Sequence, residues 1–565
     1  MQLEQQEWMH RLRLALAFWV IAASACSEQR PQAPIQSMHD GRPNIVLLMA
    51  EDLGPRIGVL GDPIAQTPRL DQFAEEGTRF TEAFATSGVC GPSRAAIVTG
   101  IHQNRWGAGH MRAAAGGYVP APAPYVKAFP EILRASGYQT FNDGKTDYQL
   151  GLRLGGAFGG PKSLWDDDRA RGWANRDTTR PFFAFINLGQ THESQIWPTW
   201  QFPNSVLTWA LWPLRIINHW SWPIVTPADE VKVPPYYPDT RTVREDIARH
   251  YNNIASLDVA VGKILDQLEQ EGLAKNTIVI FTADHGDGFP RAKRWLYDSG
   301  LHVPLLIHWP GVTRPGTISD QLISLIDLAP TILSMAKVPP PPWMEGKIFV
   351  GPHENLDERP YIFAARDRID QQPDTVRAVR GERFKYIRHY YPDRPYVLPS
   401  EFRDQMPLMR ELIDLSASNQ VEGVQALWFR KQRDQEELFD TLSDPHEILN
   451  LAEDPMQASQ VREMRQALDQ WLEEEEDLGL LPEQRLRDRF FPNGEQPITP
   501  TPTIDLLNHR VSIGSKTEGA SIEFRVNRGP WRLYTAPFEV QSGGHIEARA
   551  QRYGWAGSEI AETQN

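Results

Sequence analysis

Two acidic clusters and one cysteine carry most of the chemistry legible in this sequence. Glu51-Asp52 follow the apolar run Asn44 to Met49, and Asp284-His285 follow a second run, Thr277 to Thr282. Two acidic residues at one strand end and an Asp-His pair at another make an oxygen-rich site for a hard divalent cation. Taken singly, either pair also reads as a helix cap or a solvated turn. At one edge of one sheet they favour metal. Between them lies Gly88-Val89-Cys90-Gly91-Pro92-Ser93-Arg94-Ala95-Ala96-Ile97-Val98-Thr99-Gly100. A lone cysteine at a helix start is ordinarily a small buried residue, so its neighbours decide whether it is more.

Holding these residues together takes a sheet whose strands end on one edge. Asn44 to Met49 is apolar throughout, as in a strand covered on both faces. Thr67 to Gly77 predicts a helix with Thr67 as N-cap, Pro68 in its first turn and Gly77 as its stop. Phe129 to Gly137 predicts a helix leading to a strand near Tyr138–Phe141, and Arg180-Pro181 opens a strand over Phe182–Leu188. An amphipathic helix runs from about Val243 to Glu271, with Ile247, Ile254, Leu257, Val261 and Leu268 at helical spacing. Helices alternating with such strands predict an α/β fold with a doubly wound sheet, whose sites form at the carboxyl ends of the strands.

The Cys-x-Pro-Ser-Arg core at Cys90, with Thr99-Gly100 after it, resembles the signature of the type I sulfatases, relatives of alkaline phosphatase. The likeness runs in order from about Arg42 to Leu451. NIVLLMAEDLG is similar to the family's first strand and acidic pair, with Glu51 where Asp is commoner. Ser136-Gly137-Tyr138 and Gly144-Lys145 resemble a motif whose Lys contacts sulfate, and Asp147 stands where that motif usually has His. FFAFINLGQTHE points to His192 as a substrate contact, and KRWLYDSGLHVP points to Lys293. FTADHGDG is similar to the second metal motif, with His285 in a place often held by Asn. EELFDTLSDPHEILNLA, from Glu436 to Ala452, resembles a structural C-terminal signature. The resemblance implies an alkaline-phosphatase-like fold and one divalent cation, calcium before magnesium, on Glu51, Asp52, Cys90, Asp284 and His285. It also implies that Cys90 is oxidised to formylglycine by a formylglycine-generating or anaerobic sulfatase-maturating enzyme. Its catalytic set is then Cys90, Arg94, Lys145, His192 and Lys293.

Those residue types suit sulfate-ester cleavage, which builds negative charge on the sulfuryl and leaving oxygens. A divalent cation with Lys145, Lys293, His192 and Arg94 would stabilise that charge. A serine nucleophile would be left as a stable sulfate ester, whereas a geminal diol expels sulfate through its second hydroxyl. Asp284 is a candidate acceptor for the nucleophile's proton, and His192 or His302 a candidate acid. Tyr361 to Asp370 predicts a strand leading to Arg366, Asp367 and Arg368, with the two arginines reading substrate hydroxyls or a further anionic group. Trp197, Trp200, Trp209, Trp212, Trp220 and Trp222 crowd one stretch, as platforms for sugar rings, as the core of an insertion, or as a contact with membrane or partner. A formylglycine-dependent phosphodiesterase or phosphonate monoester hydrolase shares the nucleophile motif. An inactive, anchored carbohydrate-binding relative is the alternative outside enzymes.

Composition bounds the rest. Of 565 residues, 41% are hydrophobic and 23% charged, which fits a globular chain with a core and excludes a disordered or polytopic membrane protein. The net charge of −14 argues against a nucleic-acid partner and means that an anionic substrate must meet a few placed cations or a metal. The two cysteines exclude a disulfide framework. Leu14 to Ala25 reads as the apolar part of a signal peptide over residues 1–25, and Ala23-Ser24-Ala25-Cys26 resembles a bacterial lipobox. The expectation is export, to the periplasm or as an outer-membrane lipoprotein of a Gram-negative bacterium, on a tether over residues 26–42. A catalytic domain is expected over 43–375 and a smaller antiparallel subdomain over 376–490, opened by a hairpin within Val376 to Tyr390. Leu412 to Leu478 reads as mostly helical, with Glu473 to Asp477 a solvated acidic run. A linker over 491–502 and a β-sandwich tail over 503–565 complete the chain.

Overall fold

The structure, a computed structural model, describes residues 41–151, 161–169, 172–197, 222–355, 357, 359–474 and 476–564. Cys26 with the signal and tether segments, and Trp200, Trp209, Trp212 and Trp220, lie outside the described residues. Among the described residues no helix is long and apolar enough to cross a membrane.

The central sheet is built from β1 (Asn44–Ala50), β2 (Thr78–Phe84), β3 (Gln139–Asn142) and β4 (Phe182–Leu188). To these are added β5 (Thr277–Ala283), β6 (His302–His308) and the short β7 (Thr317–Ser319) and β8 (Ile323–Ser324). Their order is β3-β4-β1-β5-β6-β2-β7, with β8 also on β2. Strand β1 is buried along its whole length and is flanked in parallel by β4 and β5. The unbroken apolar run is what such a position demands.

The expected α/β sheet is mixed: its pairings are parallel except those made by β6. Strand β6 runs antiparallel to both β5 and β2. A parallel return needs a crossover, usually a full helix, and the connection from β5 to β6 holds only the four-residue helix Asp298–Leu301. Because β6 is reversed against both neighbours, β2 points the same way as β5. The carboxyl ends of β3, β4, β1, β5 and β2 therefore share one edge, and the chain leaving each of them carries a candidate site residue.

Helix α1 (Pro68–Glu76) starts where the sequence predicts, but Thr67 does not cap it with its side chain. Its hydroxyl accepts from the Gly58 backbone N–H at 2.8 Å and donates to Asp71. Helix α2 (Cys90–Thr99) is buried on every side, and α3 (Phe129–Ala135) precedes β3. The short α4 (Glu193–Ile196) follows β4. The long α5 (Arg241–Gln270) buries Val243, Ile247, Ile254, Leu257, Val261 and Leu268, and Thr240 caps it through the Val243 N–H.

The next sheet is antiparallel, in the order β12 (Glu436–Asp440), β11 (Phe384–His389), β10 (Val376–Arg380), β9 (Ile362–Arg366). Strands β10 and β11 are the expected hairpin. Strand β12 falls in a stretch read as helical. Its partner β11 is distant in sequence, and that pairing overrides local propensity. The acidic run is not wholly solvated either. Asp477 is buried and accepts from Arg377 Nε and Nη2 at 2.7 and 2.9 Å. Arg377 also meets Asp367 at 2.9 Å, so one guanidinium neutralises two buried carboxylates.

After residue 502 two small antiparallel sheets face each other around Val511, Ile513, Phe524, Ile546 and Ala548. This β-sandwich is clasped to α3. Glu131, 4% exposed, accepts from Ser521 Oγ at 2.5 Å and from Tyr553 OH at 2.7 Å. Arg134 donates to Glu523 at 2.8 Å from the same helix.

Candidate active site

Cys90 opens α2 directly at the shared edge and is 3% exposed. Its Sγ lies 3.4 Å from His285 Nε2, 3.7 Å from Lys293 Nζ and 3.8 Å from Asp52 Oδ1. Gly88 is needed for this placement, because a Cβ there would stand 2.3 Å from the Trp295 carbonyl oxygen. Asp52 turns the chain at the end of β1 with φ of 54°, a left-handed conformation that Asp tolerates better than most residues. Its backbone N–H donates to Asp284 Oδ1 at 3.1 Å, which ties the ends of β1 and β5 together.

Ligand atoms of Asp52, Cys90, Asp284 and His285 all lie within 4.8 Å of one another. Two carboxylates, an imidazole and the Cys90 position form a donor set that fits a divalent cation. The electrostatics agree. Burial opposes a charge on His285, yet Asp284, Asp52 and Cys90 push its pKa up to about 10. Burial also disfavours the Asp52 and Asp284 carboxylates, and Lys293 and Arg94 respectively hold both well below the usual carboxylate range. So much fixed negative charge in one buried place calls for cations.

Three cations are already built in. Lys293 Nζ, 2% exposed as a side chain, stands 2.6 Å from Asp52 Oδ2 and 2.9 Å from Glu193 Oε1. Burial works against its charge, and Asp52, Cys90 and Glu193 raise its pKa in spite of that. Lys145 Nζ lies 2.5 Å from Glu51 Oε2 and 4.0 Å from Asp284 Oδ2. Arg94 is wholly buried, with Nε on Asp284 Oδ2 at 2.8 Å and Nη1 on Asn187 Oδ1 at 2.6 Å. That geometry makes Arg94 the group that orients Asp284.

Glu51, expected among the metal ligands, is placed on Lys145 rather than in the four-residue donor group. His192 Nε2 is 4.0 Å from Glu51 Oε2, and its Nδ1 faces Ser194 Oγ at 2.8 Å, so the ring is aimed by its own helix start. Burial lowers its pKa. His302 lies outside the group, its Nε2 on the Thr81 carbonyl at 2.7 Å and its ring stacked on Phe84. Asp147 sits near Gly91, and both of its oxygens accept from Arg112, Nε and Nη2 each at 3.0 Å. One guanidinium thus engages both oxygens of Asp147 at the place where the resembled motif usually has His.

The two arginines expected to read substrate both have acidic partners within the fold. Arg368 binds Glu483 with Nε and Nη2, each at 2.8 Å, and donates to the carbonyls of Met111, Arg112 and Asp370. Arg366 lies 2.6 Å from Asp374 and stacks over Trp295. Trp197 is buried against Phe402, as a core residue would be. Glu193 was missed in sequence although it follows His192. Its backbone N–H donates to Asp52 Oδ2 at 2.7 Å, and Arg294 grips its carboxylate at 2.9 and 3.1 Å.

A family model described as Sulfatase matches residues 43–160 and 167–338. The chain is also 38% identical over 552 residues to an ulvan-active sulfatase of Formosa agariphila, covering 92% of this chain and 91% of that one. The chain belongs to the sulfatase family. A second family model, the C-terminal part of N-sulphoglucosamine sulphohydrolase, matches residues 288–426 of this sulfatase. Among solved structures, one in complex with its substrate D-glucosamine-2-N,6-O-disulfate aligns with TM-score 0.53 and 19% identity, over 78% of the sulfatase and all of that chain. A phosphonate monoester hydrolase of Agrobacterium radiobacter aligns with TM-score 0.52 and 17% identity, over 84% of the sulfatase and all of that chain. At such identities the likeness shows the fold and does not choose between sulfate and phosphonate.

Proposed function

We propose that this sulfatase hydrolyses sulfate esters on a sulfated poly- or oligosaccharide, with Cys90 as the precursor of its nucleophile. The carrying observation is Cys90 Sγ within 4 Å of His285, Lys293 and Asp52 at the start of a buried helix. Membership of the family implies a metal ion and a formylglycine. Asp52, Asp284, His285 and position 90 would hold the cation, for which we propose calcium because carboxylate oxygens suit a hard ion. The cation supplies neutralisation of the transferring group's oxygens, and formylglycine supplies a diol able to release sulfate after transfer.

The chain's own residues do the rest. Lys293 and Lys145 flank the nucleophile position with two charges for the sulfuryl oxygens. Arg94 fixes Asp284, which lies where a proton leaving the nucleophile can be accepted. The saccharide assignment is supported by the name of the relative that shares 38% identity over nearly the whole of both chains. Paired para-nitrophenyl sulfate and para-nitrophenyl phenylphosphonate test the reading. Sulfate release is expected to dominate, to fall on treatment with a chelator and to return with calcium. Faster cleavage of the phosphonate would transfer the chain to the phosphonate hydrolases.

We extend the proposal to an exported, lipid-anchored enzyme, on the apolar run Leu14 to Ala25 and the lipobox-like Ala23 to Cys26. Cell fractionation is expected to find the wild-type chain in the membrane and Cys26→Ala in the soluble periplasm. Recovery of both from the cytosol would overturn export.

A further inference from the structure

Beyond the nucleophile site, the most informative unassigned feature is a cavity of about 290 Å³ between the loop after β3 and the C-terminal sandwich. Its wall includes Gly144 and Thr146, the residues on either side of Lys145, then Lys162 and Trp165. Arg549 and Gln551 line it from the sandwich. The cavity thus begins one residue from a side chain that reaches Glu51 at 2.5 Å.

Its chemistry is specific. Trp165 is 4% exposed and held by stacking on Phe183, with ring centroids 6.1 Å apart. Its indole N–H is buried and has no hydrogen-bond partner among the described residues. Arg549 is preset by Glu523 Oε2, which accepts from its Nε and Nη2 at 2.9 and 2.7 Å, and by Trp531 beneath its guanidinium. The Nη1 of Arg549 has no acceptor among the described residues. Lys162 is exposed and has no ion pair among them. The Gln551 amide and three cations, Lys162, Arg169 and Arg549, set beside the carboxylates of Asp168 and Glu523 in a small cavity, suit a hydroxyl-rich, anionic ligand. The volume is at the lower end of ligand pockets, about 300 Å³, which corresponds to a single sugar ring.

We propose that this cavity is a saccharide subsite, half of it supplied by the C-terminal sandwich, for an anionic sugar unit near the one whose sulfate lies at Cys90. The proposal rests on the sulfatase reading above. In it the sandwich is part of the substrate-binding surface, and Lys145 marks the passage from the sulfate to the next bound unit.

The test compares ulvan oligosaccharides with para-nitrophenyl sulfate on the same preparation of full-length enzyme. The readout is the ratio of the two kcat/KM values, which cancels differences in folded or matured fraction. Lys162→Ala with Gln551→Ala is expected to lower that ratio about tenfold, through KM on the oligosaccharide, equivalent to about 1.4 kcal/mol of lost contact. Arg549→Met, which keeps most of the stem and removes the guanidinium, is expected to lower it as well. Ratios equal to that of wild type in both variants overturn the subsite while leaving sulfate release standing. Wild-type enzyme that releases sulfate from neither substrate overturns the sulfatase reading, and the subsite with it.

Discussion

Cys90→Ala is expected to abolish sulfate release, a loss of roughly 10⁴-fold or more in kcat, because the reaction loses the group that attacks sulfur. The fold is expected to survive. Alanine in that first helical turn leaves a small void and costs about 1 kcal/mol, and neither the Asp52–Lys293 pair nor the Asp284–Arg94 pair passes through Cys90. Cys90→Ser separates nucleophile from fold more sharply. Its hydroxyl occupies the same place beside His285 and Lys293 but has no second hydroxyl with which to expel sulfate. One turnover is expected, leaving a covalently sulfated residue 90 that mass spectrometry of the peptide can detect. Steady turnover by either variant would remove Cys90 from the nucleophile's role.

Lys293→Met is expected to lower kcat/KM by about 10³-fold, the scale of removing one preorganised charge from a transition state. The ammonium is held by Asp52 and Glu193 on one side and faces Sγ on the other, so it meets charge at the nucleophile position without needing to move. The substitution also strands negative charge. Glu193 keeps its two bonds to Arg294, but Asp52 loses its shortest ionic contact. Loss of one partner from a buried pair costs about 3–5 kcal/mol, so a lower melting temperature should accompany the loss of activity. Lys293→Arg retains the charge, but a planar fork does not fit where a compact ammonium touches two carboxylates, and it is expected to restore stability better than rate. A methionine variant within tenfold of wild type would show Lys293 to be structural.

The strand ends were legible in sequence because β1 and β5 are covered on both faces, so composition alone marks them. Cys90 and the two lysines were legible through flanking motifs. What escaped depends on partners remote in sequence. Glu193 looks like any acidic helix start until Arg294, 101 residues later, closes on it. Asp477 belongs to a run in which Glu473, Glu474 and Glu476 face water, and Arg377, 100 residues earlier, buries it. The reversal of β6 follows from a short connection rather than from the strand's own residues. Arg368 has the right chemistry for anions and meets Glu483, whereas Arg366 shares Asp374 with Arg433, pairings no local pattern announces. Glu51 keeps the acid expected at its place while its extra methylene lets the carboxylate reach Lys145.

The clasp on α3 also sets a clock. Glu131 waits for Ser521 and Tyr553, partners 390 and 422 residues further along the chain. At a synthesis rate of roughly 5–20 residues per second, about 20–80 s separate the making of that carboxylate from the making of its first distant partner. Contacts of such separation also form slowly once both ends exist. Asp52, His285 and Lys293, which surround the Cys90 sulfur, all precede Ser521 and Tyr553 in the chain, so every part of that site is made before the clasp can form.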